Sequence, residues 1–67
     1  MDRYTLIRIY YKKEYYGSLR QEDRLDFKTL TEAIYFGSIV ITDKEKEDSY
    51  ILDNVNNKKL NLNGEYI

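Results

Sequence analysis

The chain has 67 residues, enough for one small domain whose core removes only ~60% of the surface that the unfolded chain exposes. Its 11 Lys and Arg against 12 Asp and Glu give a net charge of −1, which favours neither strong attraction to nucleic acid nor an acidic mimic of it. The absence of Cys, His, Trp and Pro excludes disulfides, imidazole or thiolate catalysis and the usual zinc sites. We therefore expect one domain spanning residues 1–67, with no cofactor and no metal.

The sequence also bears on compartment and origin. No stretch approaches the ~20 apolar residues that span a bilayer, and no apolar segment follows the N-terminus. We therefore expect a cytoplasmic protein with no membrane partner. Residue types with AT-rich codons (Phe, Tyr, Met, Ile, Asn and Lys) number 30, against 8 for Gly, Ala, Arg and Pro. This bias predicts a low-GC bacterium, its phage or a mobile element as the source.

The first predicted element is a strand over residues 3–11, which are rich in β-branched and aromatic types and lack Gly and Pro. Side chains alternate between the two sides of a strand, so this segment divides into two sets. The set without a charge is expected to face the core, and the other set the open face of the sheet. The first set comprises Thr5, Ile7, Ile9 and Tyr11, and the second Tyr4, Leu6, Arg8 and Tyr10.

A hairpin is expected to follow, with Tyr15–Leu19 as its return strand. The turn signal is poor, because no Asn-Gly or Asp-Gly pair marks it. Residues 20–26 are almost entirely polar, and they predict a connector rather than a strand.

A helix is predicted over residues 30–41. Thr29 and Glu32 have the spacing of a capping box, and an apolar stripe with small residues at Ala33 and Gly37 would let the helix lie close on a sheet. The alternative ends the helix at Gly37 and makes residues 38–42 a strand, because Ile-Val-Ile-Thr is β-branched.

The C-terminal third predicts a solvated charged loop at residues 43–49 and a hairpin of strands 50–53 and 59–63. The asparagines between the strands tolerate the positive φ of tight turns. The fold class is therefore α+β, a small β(β)αββ domain with an antiparallel sheet and one helix packed on one face.

One local cluster stands out, the segment Tyr10–Tyr16, in which four tyrosines are interleaved with Lys12 and Lys13. It has three readings. An ordinary edge hairpin pairs Tyr across strands and uses Lys against aggregation. A protein-binding site uses Tyr as a rigid anchor, and a single-stranded nucleic-acid site stacks bases on Tyr and neutralises phosphates with Lys.

The leading functional hypothesis is a non-enzymatic protein-interaction module that docks onto or occludes a partner protein, such as a host protein inhibited by a phage or mobile element. The alternative is a single-stranded nucleic-acid-binding protein that uses the same surface. A small enzyme ranks third, and a homodimer formed through the open face is compatible with each. The predicted binding residues are Tyr4, Arg8, Tyr10, Lys12, Lys13 and Tyr15, and no catalytic residue is predicted.

Overall fold

The computed structural model describes residues 2–67 and contains four antiparallel strands in one open sheet, with a single helix against one face. The strands are ordered β2-β1-β3-β4, so that β1 lies inside the sheet and β2 forms one edge. The predicted small α+β fold is confirmed. The elements are β1 (Tyr4–Glu14), β2 (Gly17–Phe27), α1 (Leu30–Val40), β3 (Tyr50–Asp53) and β4 (Lys58–Leu60).

Helix α1 begins at the predicted cap. The backbone N–H of Glu32 donates to the Thr29 hydroxyl at 3.2 Å, and that hydroxyl donates to the Glu32 carboxylate at 2.9 Å. The helix continues past Gly37 to Val40, which confirms the longer of the two helices considered. Its 11 residues are too few to cross a bilayer, and the described part of the chain holds no other helix that could.

Replacing Thr29 by Ala should lower the free energy of unfolding by ~1 kcal/mol, because the Glu32 N–H loses its acceptor at the end of the helix. Urea denaturation of the two proteins measures the difference. Thr29→Ser is the matched control, because it keeps the hydroxyl and should change stability much less. Equal losses in both variants would contradict a capping role.

The helix covers the side of β1 that carries Leu6, so the sequence-based assignment of faces was wrong. Leu6 is fully buried in a cluster with four other buried residues, and a Cβ placed on Gly37 would lie 3.4 Å from its Cδ1 atom. Tyr4 packs against the same cluster. The error arose because the charge of Arg8 was taken to exclude this side, whereas Arg8 lies on it in ion pairs with Asp23 and Glu45. The other cluster members are Ala33, Ile41, Ile51 and Leu60.

On the opposite face of the sheet, which the helix leaves uncovered, side chains in the middle of β1 are nevertheless buried. Thr5, Ile7 and Ile9 are all at most 5% exposed. Ile7 stands directly between the long side chains of Arg24 and Tyr50 on the neighbouring strands, and cross-strand neighbours of this kind touch. Ile7 is therefore buried by the strands beside it rather than by the helix, and Ile9 lies against the loop that carries Ser49.

The return strand is longer than the sequence predicted. Gly17–Phe27 pairs with β1 along its whole length, from Glu14 opposite Gly17 to Tyr4 opposite Phe27, so residues 20–26 are strand and not connector. The charges in this segment are tolerated because β2 is an edge strand and most of its side chains stay in solvent.

The C-terminal hairpin is shorter than predicted, since β4 ends at Leu60. Asn61 stops the strand: its side-chain oxygen accepts the backbone N–H groups of Asn63 and Glu65, both at 3.0 Å. The turn between β3 and β4 uses Asn57 with φ of 54°, as expected of asparagine in such a turn.

Candidate interaction site

The β1–β2 hairpin extends well beyond the rest of the sheet. Strand β3 pairs only with residues 4–7 of β1, so residues 10–21 form a two-stranded ribbon, called here the hairpin arm. Every residue from 11 to 20 is exposed, and the longest dimension of the molecule is 39 Å against 20 and 19 Å for the others. The arm is thus the largest part of the chain that no other element covers.

Two tyrosines form the tip of the arm. Tyr15 and Tyr16 make a two-residue loop between the paired residues Glu14 and Gly17, and their side chains are 92% and 97% exposed. The rings stand edge to face with centroids 4.9 Å apart. Gly17 takes the positive φ of 133° that this turn requires, which a side chain at that position would make costly. The turn therefore presents both phenols to solvent.

The arm is basic, whereas the rest of the protein is acidic. Residues 10–21 contain Lys12, Lys13 and Arg20 against Glu14 alone, a net charge of +2 within a chain of net charge −1. Lys12 and Lys13 are adjacent on a strand and therefore project to opposite sides of the ribbon. Both sides of the arm carry a positive charge beside tyrosine.

The base of the arm is fixed by Arg8. Its guanidinium donates to Glu45 at 2.6 Å and to Asp23 at 3.3 Å, and it lies 4.3 Å from the ring centroid of Tyr10. The hydrogen bond from Arg8 lowers the pKa of Glu45 from 4.5 to about 2, and the same bond raises the pKa of Arg8. Glu45 in turn accepts the Thr42 backbone N–H at 2.9 Å, so the loop after the helix is tied to the start of the arm.

The predicted binding residues divide between the arm and the body of the protein. Tyr10, Lys12, Lys13 and Tyr15 lie together on the arm. Tyr4 packs against the core and Arg8 is held in ion pairs, so neither belongs to one open face with Tyr10 as the sequence suggested.

Tyr16 is not among the binding residues predicted from the sequence, although it is the most exposed large hydrophobic side chain that the structure describes. The signal that could have found it is Gly17 directly after the Tyr-Tyr pair. A glycine there indicates that the turn lies at the tyrosines themselves.

A second polar centre lies at the other end of the molecule around Asp53, which is fully buried. Its carboxylate accepts hydrogen bonds from Arg3 at 3.3 Å, from the Val55 and Asn56 backbone N–H groups at 3.1 and 3.3 Å, and from the Tyr66 hydroxyl at 3.4 Å. Arg3, followed by the turn N–H groups, lowers the pKa of Asp53 from 3.8 to about 2. This carboxylate is occupied in holding the β3–β4 turn.

The described residues offer little for metal chemistry, since no three carboxylates within 2–67 come together in a metal-binding group. The candidate site is the arm, because Tyr15 and Tyr16 are exposed at its tip and its net charge is +2.

Comparison with known proteins adds no relative: no protein-family model, curated protein or solved structure matches this chain.

Proposed function

We propose that this protein is a non-enzymatic interaction module that docks onto a partner protein through the hairpin arm. One observation carries the proposal: Tyr15 and Tyr16 stand almost wholly in solvent at the end of a ribbon that no other element covers. A folded protein gains nothing in its own stability from two such side chains, whereas a partner that buries them gains apolar contact area.

The chemistry of the arm suits a protein surface. Tyrosine brings a large, rigid side chain with only two rotatable bonds, so little conformational entropy is lost when it is immobilised, and its hydroxyl can still find a hydrogen-bond partner. The edge-to-face pair at the tip would enter a pocket of the partner. Lys12, Lys13 and Arg20 along the arm would lie at the rim and favour an acidic surface around that pocket.

The body of the protein would hold the arm in one orientation. The ion pairs of Arg8 with Asp23 and Glu45 join both strands of the hairpin to the loop after α1. A fixed arm loses less entropy on binding than a flexible one. In this proposal Arg8 positions the arm, a different role from the direct contact that the sequence predicted.

Single-stranded nucleic acid is the second candidate partner, favoured by the +2 charge of the arm and by tyrosines next to lysines on both sides of it. The two partners respond differently to salt. Binding to nucleic acid releases counterions and weakens steeply with salt, whereas a complex anchored by tyrosine changes little.

The test places a photo-crosslinking amino acid at Lys13 in three backgrounds, the wild type, the double variant Tyr15→Ser with Tyr16→Ser, and Tyr35→Ser. Tyr35 is an exposed tyrosine on the helix and serves as the matched control. We expect one cross-linked protein, at the same yield in the wild type and Tyr35→Ser, and a loss of about tenfold or more in the double variant.

Raising salt from about 50 to 200 mM should leave the yield nearly unchanged. A cross-linked product that nuclease destroys would establish the nucleic-acid alternative, and a steep fall of its yield with salt would accompany it. A yield that the double variant does not alter would contradict docking through the tip.

A further inference from the structure

The outer edge of β2 is long and has no partner strand among residues 2–67. The edge on the other side of the sheet is short, because β4 has three residues and the C-terminal segment covers it through the Leu60–Tyr66 bridge. Strand β2 has 11 residues, and its outward backbone groups are free to pair with another strand. A single copy of the chain thus presents one strong pairing edge.

The structure shows which residues of β2 form that edge. The Ile9 backbone N–H donates to Ser49 at 2.9 Å, on the side of β1 away from β2. In an antiparallel pair, two directly opposed residues either hydrogen-bond to each other through their backbone N–H and C=O groups or both direct these groups away from each other. Glu22 lies opposite Ile9, so its backbone groups point outward from the sheet. The same holds for every second residue. The outward set is Ser18, Arg20, Glu22, Arg24 and Asp26.

The side chains of that set alternate in charge along the uncovered face of the sheet, in the order Arg20, Glu22, Arg24, Asp26. When a second copy of the strand runs antiparallel to the first, each charge in this order can face a charge of opposite sign. With a two-fold axis at Asp23, each Arg20 stands opposite the second copy's Asp26, and each Glu22 opposite its Arg24. An axis at Glu22 or Arg24 sets like charges opposite each other. An axis at Gln21 or Leu25 forms fewer pairs of opposite charge than the axis at Asp23. Charge therefore selects a single register.

The helix side of the edge fits the same register. There the axis at Asp23 places exposed Leu19 opposite Phe27 of the second copy, beside the Phe27–Phe36 ring contact at 5.4 Å. The two Asp23 side chains that meet at the axis each have Arg8 at 3.3 Å, which offsets their repulsion. Apolar groups that are exposed in one copy would thus be covered.

We propose that the protein forms a symmetric dimer in which β2 pairs antiparallel with β2 of a second copy, residues 19–27 against 27–19, and the two sheets join into one of eight strands. Residues 19–21 at the base of each arm then gain a third strand from residues 25–27 of the second copy, and the rest of the arm extends beyond the paired region. Tyr15 and Tyr16 remain outside the paired region, as do Lys12 and Lys13, so the dimer leaves the tips free for the proposed docking function and would present two of them, at opposite ends. Arg20 would face Asp26 of the second copy instead of a docked partner.

The test uses two charge reversals, each of which should weaken the dimer alone and restore it in combination with the other. In Glu22→Arg, arginine meets Arg24 of the other copy, and in Arg24→Glu, glutamate meets Glu22. Among residues 2–67, neither side chain makes an ion pair. Each variant alone should dimerise about tenfold or more weakly than the wild type at low salt. An equimolar mixture should regain the dimer as a mixed species, and the double reversal in one chain should regain it as a homodimer.

Sedimentation velocity measures the mass, and circular dichroism checks that each variant is folded. Matched controls are Lys44→Glu and Glu47→Arg, the same charge changes in the exposed loop, which should leave the dimer intact. A wild-type protein that stays monomeric at all concentrations overturns the proposal. A dimer that survives both single reversals, or that the mixture fails to restore although all variants fold, overturns it equally.

Discussion

Replacing Leu6 by Ala is expected to lower the free energy of unfolding by about 2–5 kcal/mol, the range for removing a fully buried leucine. Leu6 is 0% exposed and lies at the centre of the contact between β1 and the helix, where its side chain reaches Gly37. The helix cannot collapse onto the cavity without moving the whole layer, which favours the upper part of that range. A domain of this size should then melt some 10 °C or more below the wild type, at about 4–8 °C per kcal/mol.

Urea denaturation with a fitted m-value provides the measurement. Leu19→Ala is the matched control, because Leu19 lies on the same side of the sheet but on the exposed arm, and the change should stay within about 0.5 kcal/mol in a monomer. Leu6→Met, which nearly conserves volume, should cost less than about 1.5 kcal/mol. If Leu6→Ala were as mild as Leu19→Ala, the helix would not cover this side of β1.

Acid should destabilise the protein strongly, and two ion pairs at opposite ends of the molecule are the cause. Arg3 holds the pKa of Asp53 at about 2, and Arg8 holds that of Glu45 at about 2. Both values lie below those of the unfolded chain, so the unfolded state binds more protons in acid and stability falls as the pH is lowered. The contribution is complete above about pH 5 and is lost progressively down to about pH 2.

Thermal melts across this range check the prediction. Asp53→Asn and Glu45→Gln should each melt lower than the wild type at neutral pH and show a smaller further decrease in acid, because the group that titrates has been removed. Asp43→Asn is the control, since Asp43 is exposed and, in the part of the chain that the structure describes, pairs with Lys46 alone, at 3.1 Å. Between about pH 6 and 8 the wild-type melting temperature should stay flat, because the chain has no His or Cys. A wild-type protein as stable at about pH 2 as at pH 7 would contradict the role of both ion pairs.

The acid prediction and the dimer bear on each other. Dissociation of the proposed β2–β2 dimer would lower the melting temperature, as would loss of the two ion pairs. Melts at several protein concentrations separate the two effects, because only dissociation makes the melting temperature depend on concentration.

Part of the candidate site could be predicted from residues adjacent in the chain. The interleaved tyrosines and lysines of residues 10–16 identified the arm, because their composition alone is unusual for a solvated turn. Tyr4 and Arg8 were assigned to the site only through their position on the same side of β1. That assignment depended on which side the helix covers, and it put two residues of the body into a surface that the fold does not form.

What the sequence determined by itself was local. The Thr29 cap, the span of the helix and the turn at Asn57 depend on hydrogen bonds and backbone preferences within a few residues, so they can be read in order along the chain. Tertiary structure alone decided the face of β1 that meets the helix, the length of β2 and the projection of the arm. Arg8 can lie on the helix side because Glu45, 37 residues away, neutralises it. Residues 20–26 become a strand because β1 offers them backbone partners, and a pattern of side chains does not show where those partners will be.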